Sequence, residues 1–283
     1  MNEPTEFSPR PIAINLFSVR RELQEDFEGC LRRLAEIGFV GIEPMTFGSV
    51  PPEALPEDLR IPQPEPRDFR RLLDDLGLEV ASLHAPLPGG DDGDAVLDLA
   101  ETLGTDLLVL SSWIAIPEIG TRAHEDVGAL ARVIELFQAA SERAQRRGLR
   151  LGFHNHHYEW ERDLAGHSAW ELFWKDADPR VVAEVDIYWA QTARQDPVAV
   201  IEALGERVRR IHVKDGPCVL GEPQTALGRG TVDVAACVRA ARHSDWHILE
   251  LDDCATDMLT ALAESYDYMV SRGLSLGRRP SLS

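Results

Sequence analysis

The feature that most constrains the fold is a regular alternation of short apolar runs with longer helical patterns. Eight apolar runs are separated by segments in which apolar residues recur every three or four positions, as from Arg20 to Ile37. Glycine closes several of these segments, for example at Gly38, Gly77 and Gly104. Because short continuous apolar runs are typical of strands covered on both faces, the pattern predicts a parallel sheet with helices outside it.

The predicted elements fill nearly the whole chain of 283 residues. The strands are predicted over 12–17, 40–43, 80–84, 107–110, 149–156, 181–187, 208–215 and 246–251. The helices are predicted over 20–37, 69–76, 95–103, 123–147, 170–176, 198–204, 232–242 and 258–270. These units predict a single α/β domain over 1–283, a (β/α)8 TIM barrel with loose tails at 1–11 and about 274–283. A doubly wound sheet is the alternative, but the first turn, Phe17-Ser-Val-Arg20, lacks the glycines that it usually has.

Composition narrows the class of protein. The formal net charge of −19 disfavours a nucleic-acid-binding protein, because phosphate backbones favour Lys and Arg. The four cysteines have no CxxC spacing, so they indicate neither a zinc knuckle nor a disulfide framework. We see no apolar signal-peptide segment at the N-terminus and no run of membrane-spanning length. These features predict a cytoplasmic protein that binds neither nucleic acid nor membrane, and they leave a homo-oligomer open.

Carboxylate and imidazole side chains lie near the predicted carboxyl ends of four consecutive strands. His154 and His156 end the fifth strand, and Asp186, His212 and Glu250 lie near the ends of the sixth, seventh and eighth. The carboxyl ends of barrel strands form one mouth, so we expect these side chains to meet there. Buried charges need a partner or a metal, and this donor set suits Mn²⁺, with Mg²⁺, Co²⁺ or Zn²⁺ as alternatives. We predict His154, Asp186, His212 and Glu250 as metal ligands, with His156 as the alternative on the fifth strand.

Other polar residues around the same mouth are candidates for catalysis or substrate binding. The predicted catalytic residues are Glu250, Lys214 and His156. Lys214 would either hold a substrate oxygen or form an ion pair with Glu250 or Asp252. The predicted substrate contacts are Glu43, His84, Trp189 and Glu159. A structural role is the alternative for each of them. Gly228-Arg-Gly230 is similar to a turn that holds an anion.

Several segments together resemble a known family. They include Gly38-Phe-Val-Gly-Ile-Glu43, Ser82-Leu-His-Ala-Pro86, Phe153-His-Asn-His156, Glu184-Val-Asp-Ile-Tyr-Trp189 and Ile211-His-Val-Lys-Asp215. The chain resembles the xylose-isomerase-like TIM-barrel superfamily, in its sugar phosphate isomerase/epimerase group. That resemblance implies one divalent metal held by Glu, Asp, His and Glu from strands five to eight. The last three correspond to Asp186, His212 and Glu250, whereas His154 stands where many members have Glu.

The resemblance implies an isomerase or epimerase that moves a proton next to a carbonyl of a small-molecule sugar or keto-sugar. In the epimerases of the family two metal-binding glutamates move the proton. The loss of one leaves a metal-dependent lyase or dehydratase open, either inosose-dehydratase-like or acting by β-elimination on a keto-glycoside. A non-catalytic sugar-binding barrel is a further alternative. The abasic-site endonucleases of the superfamily are disfavoured by the net charge and by Trp189, where they carry a His.

Overall fold

The predicted alternation of strands and helices is present in the computed structural model, which describes residues 7–90, 93–116 and 118–278. The strands are β1 (Arg10–Asn15), β2 (Gly41–Glu43), β3 (Glu79–Val80), β4 (Leu83–His84), β5 (Leu107–Leu110), β6 (Arg150–His154), β7 (Val182–Asp186), β8 (Val208–Val213), β9 (Trp246–Leu249) and β10 (Ser275–Leu276). The α-helices are α1 (Arg20–Glu25), α2 (Phe27–Ile37), α3 (Pro66–Leu76), α4 (Gly93–Leu103), α5 (Val127–Gln145), α6 (Ala169–Asp176), α7 (Ile187–Thr192), α8 (Pro197–Leu204), α9 (Val234–Ala240) and α10 (Met258–Ser271).

The sheet closes on itself at the third predicted strand. Its strands follow the order β3-β2-β1-β9-β8-β7-β6-β5-β4, and each of these pairs is parallel. The two ends of this order, β3 and β4, are separated in the chain only by Ala81 and Ser82. A parallel bridge between Met45 and His84 joins the segment after β2 to β4. The two short strands are therefore one barrel strand, and the predicted (β/α)8 barrel is confirmed.

The apolar core lies between the barrel and its helices. Helix α5 contributes Leu130, Val133 and Phe137, each at most 1% exposed. Phe137 packs edge-on against Phe153 of β6, with ring centroids 5.9 Å apart. Burial of such side chains stabilises the fold by about 1.5–3 kcal/mol each. The interior of the barrel instead holds buried Glu, His, Lys and Arg side chains, and these define the candidate site.

Local backbone chemistry moves several predicted boundaries. The helix predicted over 20–37 is two helices, because Asp26 has φ −151° and ψ 87° and accepts a hydrogen bond from the backbone N of Gly29 at 3.0 Å. The sixth predicted strand ends at Asp186, because this residue is the N-cap of α7, a short helix that the sequence analysis did not predict. The fifth ends at His154, so His156 lies in the following loop.

The predicted tails are partly wrong. β1 begins at Arg10, inside the segment predicted as the N-terminal tail. β10 lies in the predicted C-terminal tail and pairs in parallel with β1, and Leu274 and Ser275 are buried. Residues 1–6 and 279–283 lie outside the described residues. Across the described ranges, no helix has both the length and the apolar character that a membrane span requires.

Candidate active site

The four predicted metal ligands converge at the carboxyl ends of β6 to β9. His154 and Asp186 end β6 and β7, His212 is the penultimate residue of β8, and Glu250 directly follows β9. One ligand atom from each lies within 4.8 Å of the others. All four side chains are at most 5% exposed, and the register of the sheet pairs Asp186 with His212. Barrel closure thus brings together side chains that come from four separate strands.

Asp186 has one carboxylate oxygen engaged in the fold and one directed into this cluster. Oδ1 caps α7 by accepting a hydrogen bond from the backbone N of Trp189 at 2.8 Å. Oδ2 accepts no hydrogen bond from the described residues, although it lies 3.0 Å from Lys214 Nζ and 3.9 Å from His154 Nε2. Burial raises the pKa of Asp186 to about 6, against the opposing effects of Lys214 and His212. A bound cation would satisfy such an oxygen.

Lys214 is the cation of the cluster and is fully buried. Its Nζ lies 2.6 Å from Glu250 Oε2, 2.9 Å from Asp252 Oδ2 and 3.0 Å from Asp186 Oδ2. Burial alone would lower the pKa of Lys214, but these three carboxylates raise it well above its ordinary value. Lys214 is therefore an ammonium group at neutral pH, able to donate hydrogen bonds and unable to accept a proton.

Glu250 is ionised because its nearest neighbours, Lys214 and His212, carry positive charge. Burial alone would raise the pKa of this carboxyl group, but Lys214 and His212 hold it well below its ordinary value. Lys214 Nζ and His212 Nδ1 both lie 2.6 Å from the same oxygen, Oε2. The mouth of the barrel therefore contains an ionised carboxylate whose charge is stabilised by an adjacent ammonium group.

A deeper layer of polar side chains surrounds the imidazoles, and its main member was missed by the sequence analysis. Glu184 lies on β7, is 1% exposed, and directs Oε1 towards three imidazole nitrogens. These are His84 Nε2 at 2.7 Å, His212 Nε2 at 3.0 Å and His154 Nδ1 at 3.2 Å. A Glu inside an apolar strand, with the same parity as Asp186, was the available signal. Carboxylates that contact the second nitrogen of a ligand imidazole orient its ring.

Glu43 belongs to this deeper layer and does not line the mouth. Its Oε2 accepts a hydrogen bond from Asn15 Nδ2 at 2.7 Å and lies 2.7 Å from His212 Nε2, and its Oε1 accepts one from Ser82. The residue is fully buried. Both oxygens of Glu43 are therefore used by side chains beneath the site, and its predicted substrate contact stays a prediction.

The three buried histidines around Glu184 differ in the direction of their pKa shifts. Burial alone would lower the pKa of His212, but Glu184, Glu43 and Glu250 raise it well above its ordinary value. The pKa of His84 is raised in the same way, since Glu43 and Glu184 outweigh burial. Burial and the neighbouring His212 instead lower the pKa of His154 to about 3.

The remaining predicted residues lie around the rim. The ring of His156 is 5.0 Å from that of His154 and 6.2 Å from that of Trp189, between centroids. Burial and His154 hold the pKa of His156 well below its ordinary value. Trp189 is half-buried, with Lys214 Nζ 5.7 Å from the centroid of its ring. Glu159 is fully buried behind His156, whose backbone N donates to its Oε2 at 2.8 Å.

The turn at Gly228-Arg-Gly230 does hold an anion, but that anion is a side chain of the protein. Asp215 Oδ2 accepts hydrogen bonds from the backbone N atoms of Gly228 and Gly230 at 2.9 and 3.0 Å. Its Oδ1 accepts from those of Gly216 and Val232 at 2.8 and 3.0 Å. A Cβ at position 230 would lie 2.1 Å from Asp215 Oδ1, so glycine is required there. This turn fixes the loop after β8 and leaves no amide for a substrate phosphate.

Comparison with known proteins gives one family and several relatives. A family model described as xylose isomerase-like TIM barrel matches residues 31–269. A 3-dehydroshikimate dehydratase from Pseudomonas aeruginosa is 27% identical over 202 residues, which are 66% of this chain and 28% of that protein. The chain therefore spans little more than a quarter of that relative's length.

Two of the solved structures similar to this chain illustrate the shared fold. A sugar phosphate isomerase/epimerase from Parabacteroides distasonis has a TM-score of 0.75 at 22% identity, covering 96% of this chain and 98% of its own. A xylose isomerase-like TIM-barrel protein from Mycobacterium smegmatis, in complex with magnesium, has a TM-score of 0.63 at 16% identity, covering 97% and 99%. At 22% and 16% identity, the similarity to these two structures shows a shared fold and does not by itself assign a function.

Proposed function

The chain belongs to the xylose isomerase-like TIM-barrel family, and from that premise we propose that it is a divalent-metal-dependent enzyme acting on a sugar or keto-sugar. The proposed reaction is isomerisation or epimerisation by proton transfer at the carbon next to a carbonyl. The observation that carries this proposal is the convergence of His154, Asp186, His212 and Glu250 in one buried cluster. The ionised base and the ammonium group lie in direct contact there.

The donor set fits one divalent ion. Two imidazoles and two carboxylates suit Mn²⁺ first, with Mg²⁺, Co²⁺ and Zn²⁺ as alternatives. Asp186 Oδ2 is buried and directed into the cluster, where it forms an ion pair with Lys214 Nζ at 3.0 Å. When bound, the ion would polarise the substrate carbonyl. The neighbouring carboxylates hold a proton on His212, so this side chain must release it to become a ligand, and metal affinity is expected to rise with pH.

Glu250 is the proposed base. The contacts of Glu250 with His212 Nδ1 and Lys214 Nζ both fall on Oε2, and the residue is 5% exposed. Oε1 is therefore the oxygen with which it would take a proton from substrate carbon. A positioned carboxylate in this role contributes about 10²–10⁴-fold to the rate.

Lys214 and His156 have complementary proposed roles. Lys214 donates hydrogen bonds and would stabilise negative charge on the substrate oxygen as Glu250 removes the proton. His156 is neutral, so one ring nitrogen can accept a hydrogen bond while the other donates. It would orient a substrate hydroxyl, with Trp189 as an apolar wall at the rim.

Exchange of solvent deuterium into a panel of keto-sugars and polyol-derived ketones tests the proposal. Metal-loaded wild type should exchange the proton next to the carbonyl, and Glu250→Gln should lose at least about 100-fold of that rate. Glu202→Gln is the matched control, because Glu202 is exposed on α8. Metal content is measured in each sample. Absence of exchange with every ketone by the metal-loaded wild type would contradict the proposal, and equal rates in Glu250→Gln would remove Glu250 as the base.

A metal-dependent dehydratase or other lyase is the second candidate. One curated relative is named as a 3-dehydroshikimate dehydratase, and His154 occupies the position where the resemblance expects a second glutamate base. Elimination needs only one base to remove the proton. Loss of water from 3-dehydroshikimate, which is already an enone, gives an aromatic dihydroxybenzoate, whereas β-elimination from a 3-keto-glycoside expels the aglycone alcohol and leaves a conjugated enone. A new ultraviolet absorbance band from either product would favour the lyase over the isomerase.

A further inference from the structure

A cavity of about 410 Å³ lies beside the candidate site, at the carboxyl ends of β2, β4 and β5. His84 forms the wall that it shares with the site. The ring centroid of His84 lies 5.4 Å from that of His154 and 5.5 Å from that of His212. A molecule held at the ligand cluster therefore has the cavity about one imidazole ring away.

The walls of the cavity are mostly apolar. Met45, Phe47, Leu87 and Leu110 line it, and Val50, 45% exposed, lies at its rim. None of the described lining residues is Lys, Arg, Asp or Glu. His84 is the one titratable side chain among them, and its Nε2 already contacts Glu184 at 2.7 Å and Glu43 at 3.2 Å. An anionic group placed there would lose hydration beside two carboxylates and without a Lys or Arg partner, which is unfavourable. An uncharged ring would instead be stabilised by removal of its surface from water.

We propose that this cavity is a subsite for an uncharged aromatic group joined to the sugar that occupies the candidate active site. The substrate class is then an aryl-substituted sugar or keto-sugar, not a sugar phosphate with its phosphate at this end. The volume is sufficient, since an apolar cavity of about 150 Å³ accommodates benzene. This inference rests on the proposed function for the sugar end of the substrate, whereas ring binding itself requires neither metal nor turnover.

Binding of 4-fluorophenol to the full chain, followed by fluorine-19 NMR, tests the subsite. Val50→Asp adds a charge at the rim and should weaken binding by about tenfold. Val127→Asp is the matched control, because Val127 is 51% exposed at the start of α5 and lines no part of the cavity. Ala115→Trp, at an exposed lining position, should reduce binding by filling the cavity.

Two comparisons complete the test. In the wild type, 4-fluorophenyl phosphate should bind at least about tenfold more weakly than 4-fluorophenol. With 4-fluorophenyl β-D-glucopyranoside, Mn²⁺ should broaden the bound fluorine signal more than Mg²⁺ does, because the cavity adjoins the ligand cluster. The proposal is overturned if 4-fluorophenol does not bind, if Val50→Asp binds it as tightly as Val127→Asp, or if the phosphate binds as tightly as the phenol.

The outcome separates this inference from the proposed function. Proton exchange on small keto-sugars without binding of 4-fluorophenol would remove the subsite and leave the proposed reaction. Saturable binding of 4-fluorophenol without metal binding or proton exchange would remove the reaction and leave a ring-binding cavity.

Discussion

The two halves of the barrel mouth carry opposite chemistry. The ends of β6 to β9 hold a buried cluster of imidazoles, carboxylates and one ammonium group. The ends of β2, β4 and β5 surround a cavity whose described lining residues include no acidic side chain, Lys or Arg. His84 lies on the border, since it lines the cavity and contacts Glu184. One half of the mouth therefore concentrates ionisable groups, whereas the other is mostly apolar.

The same contrast appears between two carboxylates within the charged half. Glu250 and Glu159 are both buried, yet the pKa of Glu250 is well below its ordinary value and burial raises that of Glu159 to about 8. The difference is the cation, because Lys214 Nζ lies 2.6 Å from Glu250, whereas Glu159 accepts backbone hydrogen bonds and has one oxygen without a partner among the described residues. Burial alone therefore favours the protonated carboxyl group, and the ionised state of Glu250 depends on its cationic neighbours.

The largest expected effect comes from disrupting the charged half at Asp186. Asp186→Asn keeps an oxygen to cap α7 but loses the ligand charge, so metal binding and proton exchange should fall together. The loss of rate should exceed about a thousandfold, since a catalytic metal supplies several kcal/mol. Metal content after dialysis and deuterium exchange are the measurements, with Asp176→Asn at an exposed position as the control. Equal metal content in the two variants would show that Asp186 is not a ligand.

A pH series sharpens the comparison of the two carboxylates. The pKa of Glu159 rises from 4.5 in the unfolded chain to about 8 in the fold. Its contribution to stability is therefore fully present below pH 4.5 and is lost as pH rises through about 8. Glu159→Gln cannot ionise, so its free energy of unfolding should depend less on pH and should exceed that of the wild type at pH 9, by roughly 5 kcal/mol.

Urea unfolding in the presence of a chelator at pH 5, 7 and 9 measures this difference. Glu202→Gln, at an exposed site, should follow the wild type. A parallel pH dependence of Glu159→Gln and the wild type would mean that Glu159 is ionised at neutral pH despite its burial.

The smallest expected effect concerns the layer beneath the ligands. Glu184→Gln keeps the side-chain shape but removes the charge that faces His84, His154 and His212. Metal affinity should fall by about 10- to 100-fold, the usual effect of a partner behind ligand imidazoles. A metal titration measures the affinity, and thermal unfolding without metal serves as the check on folding. Unchanged affinity in Glu184→Gln would show that it does not orient the imidazoles.

The sequence alone determined the barrel and much of the candidate ligand set. Apolar periodicity is a local property, so eight units could be identified from residues a few positions apart. Strand parity and strand ends are also local, which is why His154, Asp186, His212 and Glu250 were singled out before any contact was known. The failures of prediction were local as well, as at Asp26 and Asp186, where a capping side chain ended or began a helix.

The tertiary structure alone decided the environment of each group. His212 and Glu43 are 169 positions apart in the chain, and only the fold brings them into contact. The sequence places Glu184 on the inner face of its strand, but its contacts with His84, His154 and His212 come only from the fold. The cavity beside His84 is built from loops without periodicity. Charge, pKa and cavity shape depend on what lies within a few ångströms in space, and neighbours in the sequence do not specify that.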